Sequence, residues 1–227
     1  MKTVFITGAN RGLGLEFVRQ LNAMGYRTLA GCRNPHNVIQ LKRTIKSENI
    51  IHLDTGDPQS IKAAAVNVRQ RIDQLSILIN NAGIGYESDM SINTVEYDKM
   101  LETIRVNTIG PLLIAKEFEP LLSRGSIVIN ISSLMGSISD NKSGGGYSYR
   151  ISKAALNMVS KNLSIDWADK GIIILNMHPG WVRTDMGGTN APLSKKISVG
   201  GMIDVIKKVK ELDSGKFINY DGVELPW

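Results

Sequence analysis

Short apolar runs rich in β-branched residues alternate along the chain with longer stretches whose apolar positions recur every three to four residues. Val4-Phe5-Ile6-Thr7 is the first such run, and it stops at Gly8. Leu13, Phe17, Val18 and Leu21 then share one helical face between Gly12 and Met24, with Gly25 as the stop. The same reading predicts strands at 27–32, 50–53, 77–79, 127–131 and 172–177, and a closing strand at Phe217-Ile218. Helices are predicted at 61–72, 95–107, 110–122, 149–167 and 199–212.

Alternating strands and helices imply right-handed crossovers and a parallel sheet covered on both faces. The almost uninterrupted apolar character of the strands agrees, because such strands are buried on both sides. No repeat, low-complexity tract or linker divides the 227 residues. The expectation is one α/β domain over 1–227: a doubly wound, Rossmann-type parallel sheet of about seven strands, with helices on both faces. Ligands bind such sheets at the carboxyl ends of the strands, so a motif gains weight by following one.

Composition narrows the setting. Hydrophobic residues make up 42% and charged residues 21%, ordinary globular usage that argues against disorder. Cys32 is the one cysteine, which excludes an internal disulfide and points to a reducing, cytoplasmic compartment. No apolar stretch reaches the roughly 18 residues of a membrane span, and the first apolar run is too short for a secretory signal. The net charge is +6, but the basic residues are scattered. Lys207, Lys208 and Lys210, followed by Glu211 and Asp213, read as a solvated helix face and not as a nucleic-acid site. A small anionic ligand fits the charge. His36, His52 and His178 form no spaced cluster, so no metal site is expected.

Glycine is in excess, with 22 residues, and the first strand runs straight into Thr7-Gly8-Ala9-Asn10-Arg11-Gly12-Leu13-Gly14. Glycines there permit a tight turn and close approach of a pyrophosphate, and the following helix start offers free N–H groups. The loop lacks the Gly-Lys-Ser/Thr of a nucleotide triphosphate site. About 20 residues on, an NAD site carries an acid for the ribose 2′-hydroxyl. Here the corresponding stretch is Gly31-Cys32-Arg33-Asn34. Arg33 and Arg11 would attract a 2′-phosphate, which favours NADP(H) over NAD(H). Cys32 reads as a small buried side chain.

Tyr149 and Lys153 stand at i and i+4 on a predicted helix and so share a face. A nearby ammonium favours phenolate and would lower the phenol pKa from near 10, suiting it to general acid–base work on a carbonyl or alcohol. Tyr147 has Ile151 in that place instead. Ser133 follows the fifth strand in Asn130-Ile131-Ser132-Ser133 and could hold the same oxygen; Ser132 and Ser137 remain alternatives.

These residues together resemble the short-chain dehydrogenase/reductase family, of its single-domain type. The glycine loop matches Thr-Gly-x-x-x-Gly-x-Gly, and Asn80-Asn81-Ala82-Gly83 matches its Asn-Asn-Ala-Gly. His178-Pro179-Gly180-Trp181-Val182-Arg183-Thr184 matches Pro-Gly-x-x-x-Thr, and the likeness spans residues 3 to about 222. Gly136-Ser137-Ile138, Tyr147-Ser148-Tyr149-Arg150, Ser152 to Met158 and the ending Tyr220 to Trp227 are most similar to carbonyl reductases of the Sniffer type and to C-factor-like proteins.

The resemblance implies a catalytic set of Asn107, Ser133, Tyr149 and Lys153. It implies a cofactor held by Gly8, Asn10, Arg11, Gly12, Leu13, Gly14, Arg33, Asp54, Asn81, Ala82, Gly83, Tyr149, Lys153, Pro179, Gly180, Val182 and Thr184. In that set Asp54 meets the adenine, Thr184 the carboxamide, and Asn107 a proton-relay water. The implied activity is NADPH-dependent reduction of a small-molecule aldehyde or ketone. Two other readings are a specific 3-ketoacyl-type reductase, with Arg105, Lys116 or Arg124 at a basic entrance, and a dinucleotide-binding regulatory protein with little turnover. A homodimer or homotetramer would use the helices at 110–122 and 149–167, through outer faces such as Met158, Leu163 and Trp167. Substrate choice would lie in 84–90, 135–147 and 185–194. Tyr149 follows Ser133 by an unusually long interval, with the extra residues placed in 139–146. The segment 185–196 is short, which suggests an open, loosely selective site.

Overall fold

The computed structural model describes residues 1–36, 38–86 and 89–227. Among these, the strands are β1 (Thr3–Thr7), β2 (Arg27–Cys32), β3 (Ile50–His52), β4 (Ile77–Asn80), β5 (Ile127–Ile131), β6 (Ile173–His178) and β7 (Lys216–Asn219). They form one sheet in the order β3-β2-β1-β4-β5-β6-β7, and each pairing is parallel. The chain winds outward from β1 to β3 and then restarts beside β1 at β4. That reversal opens a crevice at the carboxyl ends of β1 and β4.

The helices α1 (Gly12–Ala23), α2 (Ile39–Lys42), α3 (Pro58–Arg69), α4 (Tyr97–Ile104), α5 (Gly110–Phe118), α6 (Tyr147–Asp166) and α7 (Lys195–Lys208) cover both faces. Val4 and Ile6 pack with Phe17, Val18 and Met202 on the α1 and α7 side. Phe5 faces the other way, among Ala65, Ile114 and Phe118 of α3 and α5. Phe5 and Phe118 meet with ring centroids 4.7 Å apart, and neither is exposed to solvent. Burying such a ring is worth about 1.5–3 kcal/mol, so both faces of β1 contribute to holding its end in place.

The sheet also carries a polar ladder. Asn80, Asn130 and Asn176 stand side by side in register on β4, β5 and β6. Asn80 donates to Asn130 at 2.9 Å, Asn130 donates to Ser160 of α6 at 2.7 Å, and Ser160 donates to Asn176 at 2.6 Å. Buried amides need partners, so this chain of bonds fixes α6 in one position against the sheet.

Element boundaries moved where caps outvote apolar periodicity. Asp57 accepts from Gln59 N at 2.9 Å and Pro58 starts α3, ahead of the predicted 61. Ser194 accepts from Ile197 N at 3.2 Å and starts α7 at Lys195; at the other end Val209 turns extended and stops the helix at Lys208 instead of 212. α6 starts at Tyr147, after a left-handed Gly146. The stretches predicted at 95–107 and 110–122 are joined by a π-helical turn, Arg105–Ile109. α2 was not foreseen; four residues carry no readable period. Leu163 and Trp167 were expected on an outer face, but both are buried against the sheet core; Met158 is exposed.

Candidate active site

The glycine loop is braced from β4. Thr7 Oγ1 accepts from the N–H groups of Asn81 and Ala82, both at 3.0 Å, and Asn81 Nδ2 donates to Thr7 O at 2.9 Å. Gly8 and Gly12 are left-handed, with φ of 62° and 57°. A Cβ on Gly14 would stand 2.3 Å from Gly8 O, so the turn closes only around glycine. By contrast, a Cβ on Gly12 would meet nothing nearer than Thr184 Cγ2 at 3.9 Å. The first turn of α1 has no acidic residue and its N-cap has no side-chain bond. Free N–H groups beside open space, at a positive helix end, fit a pyrophosphate.

Arg33 lies just past β2 and is exposed. Arg11 stands in the glycine loop, and its guanidinium pairs with Asp185 of the segment after Thr184. Both side chains are solvated, so this is a weak contact that a competing phosphate can displace. Asp54 follows β3 and accepts from Gly56 N at 2.9 Å. Cys32 is buried, and burial raises its thiol pKa, in keeping with a packing role.

At the end of β5 the two adjacent serines separate. Ser132 donates to Asn157 of α6 at 2.6 Å and faces the interior. Ser133 approaches the Tyr149 phenol closely enough for its hydroxyl to pull that phenol's pKa down, and it accepts from Met135 N at 3.2 Å. Ser137 donates to Trp227 O at 3.1 Å. Of the three serines, Ser133 is the one whose hydroxyl acts on the Tyr149 phenol. Lys153 is 4% exposed, donates to Ile131 O at 2.8 Å, and holds Nζ 5.6 Å from the Tyr149 ring centroid.

Burial brings the Lys153 ammonium down to about 8. It also raises the Tyr149 phenol above its ordinary value, an effect that the Ser133 hydroxyl opposes. This corrects the expectation that the ammonium would lower the phenol. Desolvation dominates, because Lys153 directs its bond to a carbonyl.

Asn107 sits unexposed in the π turn. Its Oδ1 accepts from Ile84 N at 2.8 Å, and its Nδ2 donates to Ile84 O at 2.8 Å and to Ser152 Oγ at 3.0 Å. The side chain expected to carry a relay water therefore pins the segment after β4. Gly83 is wedged there, and a Cβ on it would lie 3.3 Å from Asn107 Oδ1 and 3.6 Å from Lys153 Nζ. Sequence reasoning passed over Gly85 and met Gly136 only as part of Gly136-Ser137-Ile138, with no role given to it. A Cβ on Gly85 would stand 3.2 Å from the Tyr149 ring, and one on Gly136 2.7 Å from Lys153 Cβ. Only their position in space reveals why glycine is needed there. Glu87 and Ser88, in the 84–90 segment expected to shape substrate choice, lie outside the described residues.

The segment after β6 forms a compact flap. Pro179 O accepts from Ser198 at 2.6 Å, Gly180 is left-handed with φ of 77°, Val182 bridges Leu193, and Thr184 Oγ1 accepts from Gly187 N at 3.0 Å. Thr184 faces Gly12, so the short flap leans over the glycine loop instead of standing away from it. Burial lowers His178 to about 4, which leaves it neutral. Among the described residues there is no cluster of histidine, cysteine or acidic side chains fit for a metal, and no helix is long and apolar enough to cross a membrane.

The profile of the short chain dehydrogenase family matches residues 2–193. The chain belongs to this oxidoreductase family. Among curated relatives it is 41% identical to the C-signal of Myxococcus xanthus, over 67% of this chain and 93% of that one. Among solved structures, the NADPH-bound carbonyl reductase from chicken fatty liver superposes with a TM-score of 0.91 at 40% identity, covering 100% of this chain and 99% of that one. The carbonyl reductase Sniffer of D. melanogaster gives a TM-score of 0.93 at 36% identity, with both chains covered to 100%. The short-chain dehydrogenase fold thus extends over the whole chain.

Proposed function

We propose that this protein is an NADPH-dependent reductase of aldehydes or ketones, with Ser133, Tyr149, Lys153 and Asn107 as its catalytic set. The observation that carries the reading is the grouping of the Tyr149 phenol, the nearby Ser133 hydroxyl and buried Lys153, whose Nζ lies 5.6 Å from the Tyr149 ring centroid, at the strand ends beside the braced glycine loop. Two neighbouring hydroxyls placed in this way can take a carbonyl oxygen between them.

In this reading Gly8, Asn10, Arg11, Gly12, Leu13 and Gly14 receive the dinucleotide's pyrophosphate. Asn81, Ala82 and Gly83 line the adenosine side, Asp54 meets the adenine, and Arg33 meets the 2′-phosphate. Pro179, Gly180, Val182 and Thr184 bound the nicotinamide. When bound, the reduced nicotinamide supplies the hydride. Tyr149 gives its proton to the carbonyl oxygen as negative charge develops there, and Ser133 donates a hydrogen bond to that oxygen. The phenol carries its proton at neutral pH, which is the form that a general acid needs. Lys153, near 8, returns a proton to Tyr149, and the Asn107 turn provides the place for the relay.

The first test is a titration with NADPH and with NADH, followed by oxidation of the bound cofactor with a panel of aldehydes, ketones and diketones. Tighter NADPH binding and turnover on several carbonyls are expected. Tyr149→Phe should bind NADPH normally and lose about 10²–10⁴-fold in turnover. Near-normal turnover in that variant would remove Tyr149 from the mechanism. The identity with the C-signal motivates a second reading, a dinucleotide-binding regulatory protein. Full biological activity of a Tyr149→Phe, Lys153→Ala double variant would favour it.

A further inference from the structure

One side chain at this site has no part in the proposed chemistry yet makes three hydrogen bonds. Arg150 follows Tyr149 in the first turn of α6 and is half-buried. Its Nε donates to Gly145 O at 3.0 Å, Nη1 to Met135 O at 3.2 Å, and Nη2 to Ser143 Oγ at 2.9 Å. Met135 comes two residues after Ser133; Ser143 and Gly145 come just before α6. One guanidinium therefore ties together both ends of the excursion 134–146, from the residue beside the Tyr149 phenol.

The chemistry of this contact is specific to arginine, whose planar fork carries several donors in fixed directions. The local backbone is shaped for it. Gly144, Gly145 and Gly146 are all left-handed, with φ of 63°, 67° and 59°, a coil that glycine adopts without a steric penalty. The far side of the excursion is anchored as well. Ser137 Oγ, Ser139 N and Ser139 Oγ all donate to Trp227 O, at 3.1, 3.0 and 2.7 Å. Between the anchors Ile138 is 81% exposed. A segment this long would normally be mobile, and ordering it on substrate binding would cost affinity.

We infer that Arg150 is the positioning residue of the site. It locks 134–146 as a preformed wall continuous with Ser133 at one end and Tyr149 at the other, and so holds those two hydroxyls together. The kinetic consequence rests on the proposed role of Ser133 and Tyr149; the clamp itself does not.

Arg150→Met keeps the side-chain length and has no donors. With NADPH and para-nitrobenzaldehyde, kcat/KM should fall at least about tenfold, with a higher KM for the aldehyde and a KM for NADPH within about twofold of wild type. Arg150→Lys, with one ammonium for the same acceptors, should recover part of the loss. A variant that was only less well folded would lose kcat and keep its aldehyde KM. Wild-type kcat and KM in Arg150→Met overturn the inference. Trypsin cleavage after Lys142, read by mass, tests the clamp without turnover and should be faster in Arg150→Met. If the wild-type protein reduces no carbonyl, the functional reading has failed, and cleavage alone decides: equal rates in both proteins overturn the clamp. Should Arg150→Met not fold, Ser143→Ala removes one contact and should raise cleavage and aldehyde KM by about twofold each. No change in either has the same overturning force.

Discussion

Lys153 shows how a single residue can work against the stability of the fold that holds it. An ammonium in water titrates near 10.5, and here burial lowers it to about 8. Below about pH 8 the folded state bears the full penalty of a buried charge. Between about 8 and 10.5 the unfolded chain still binds the proton while the folded one does not, so stability rises with pH across that window. Above it the penalty is gone. Lys153→Met should therefore lose turnover and yet melt no lower than wild type at pH 7. Its advantage, up to about 3 kcal/mol from the size of the shift, should shrink as pH climbs through the window. Melting curves at pH 7, 9 and 10.5 check this. A variant that melts lower at pH 7 would mean that the bond to Ile131 outweighs the buried charge.

Among the elements, the turn from β1 into α1 depends most on its exact residues. Its shape comes from Thr7 accepting two N–H groups and from the absence of a side chain at Gly14, where a Cβ would meet a backbone oxygen at 2.3 Å. Gly14→Ala should force α1 away from the loop, cost about 1–3 kcal/mol, and weaken NADPH binding more than carbonyl binding. Calorimetry with and without NADPH reads both effects. An alanine variant with unchanged melting and unchanged cofactor affinity would show that the turn can relax. The π turn between α4 and α5 makes the complementary point. An extra residue in a helix points Asn107 inward, where its amide pins Ile84.

For the molecule as a whole, the reversal of strand order between β1 and β4 creates the crevice, and cofactor binding should stabilise all of it. NADPH at about a hundred times its Kd adds about 2.7 kcal/mol. At roughly 2–4 °C per kcal/mol for a chain of this size, that is a rise of several degrees in Tm. NADH at equal concentration should give less. Arg33→Ala should narrow the difference by roughly tenfold in relative affinity, most clearly at low salt. If the preference survives intact, Arg33 is not the 2′-phosphate partner, and Arg11, released from Asp185, takes its place.

The sequence by itself determined the layered α/β architecture, because parallel strands buried on both sides must read as short apolar runs between amphipathic helices. It also marked Gly8, Gly12, Gly14, Tyr149 and Lys153, since a phosphate-accepting turn and a one-turn side-chain pair are local features with fixed spacings. Only the tertiary structure decided which serine acts on Tyr149: Ser132, Ser133 and Ser137 are alike as residues, and Asn157 and Trp227 engage two of them from distant elements. The same holds for the sign of the Tyr149 shift, which follows from burial, and for the burial of Leu163 and Trp167. Arg150 was visible as a letter beside Tyr149, but its function depends on three acceptors that the chain brings together only when 134–146 folds back on α6. Local periodicity and spacing are written along the chain, whereas desolvation and long-range hydrogen bonds exist only between segments that folding makes neighbours.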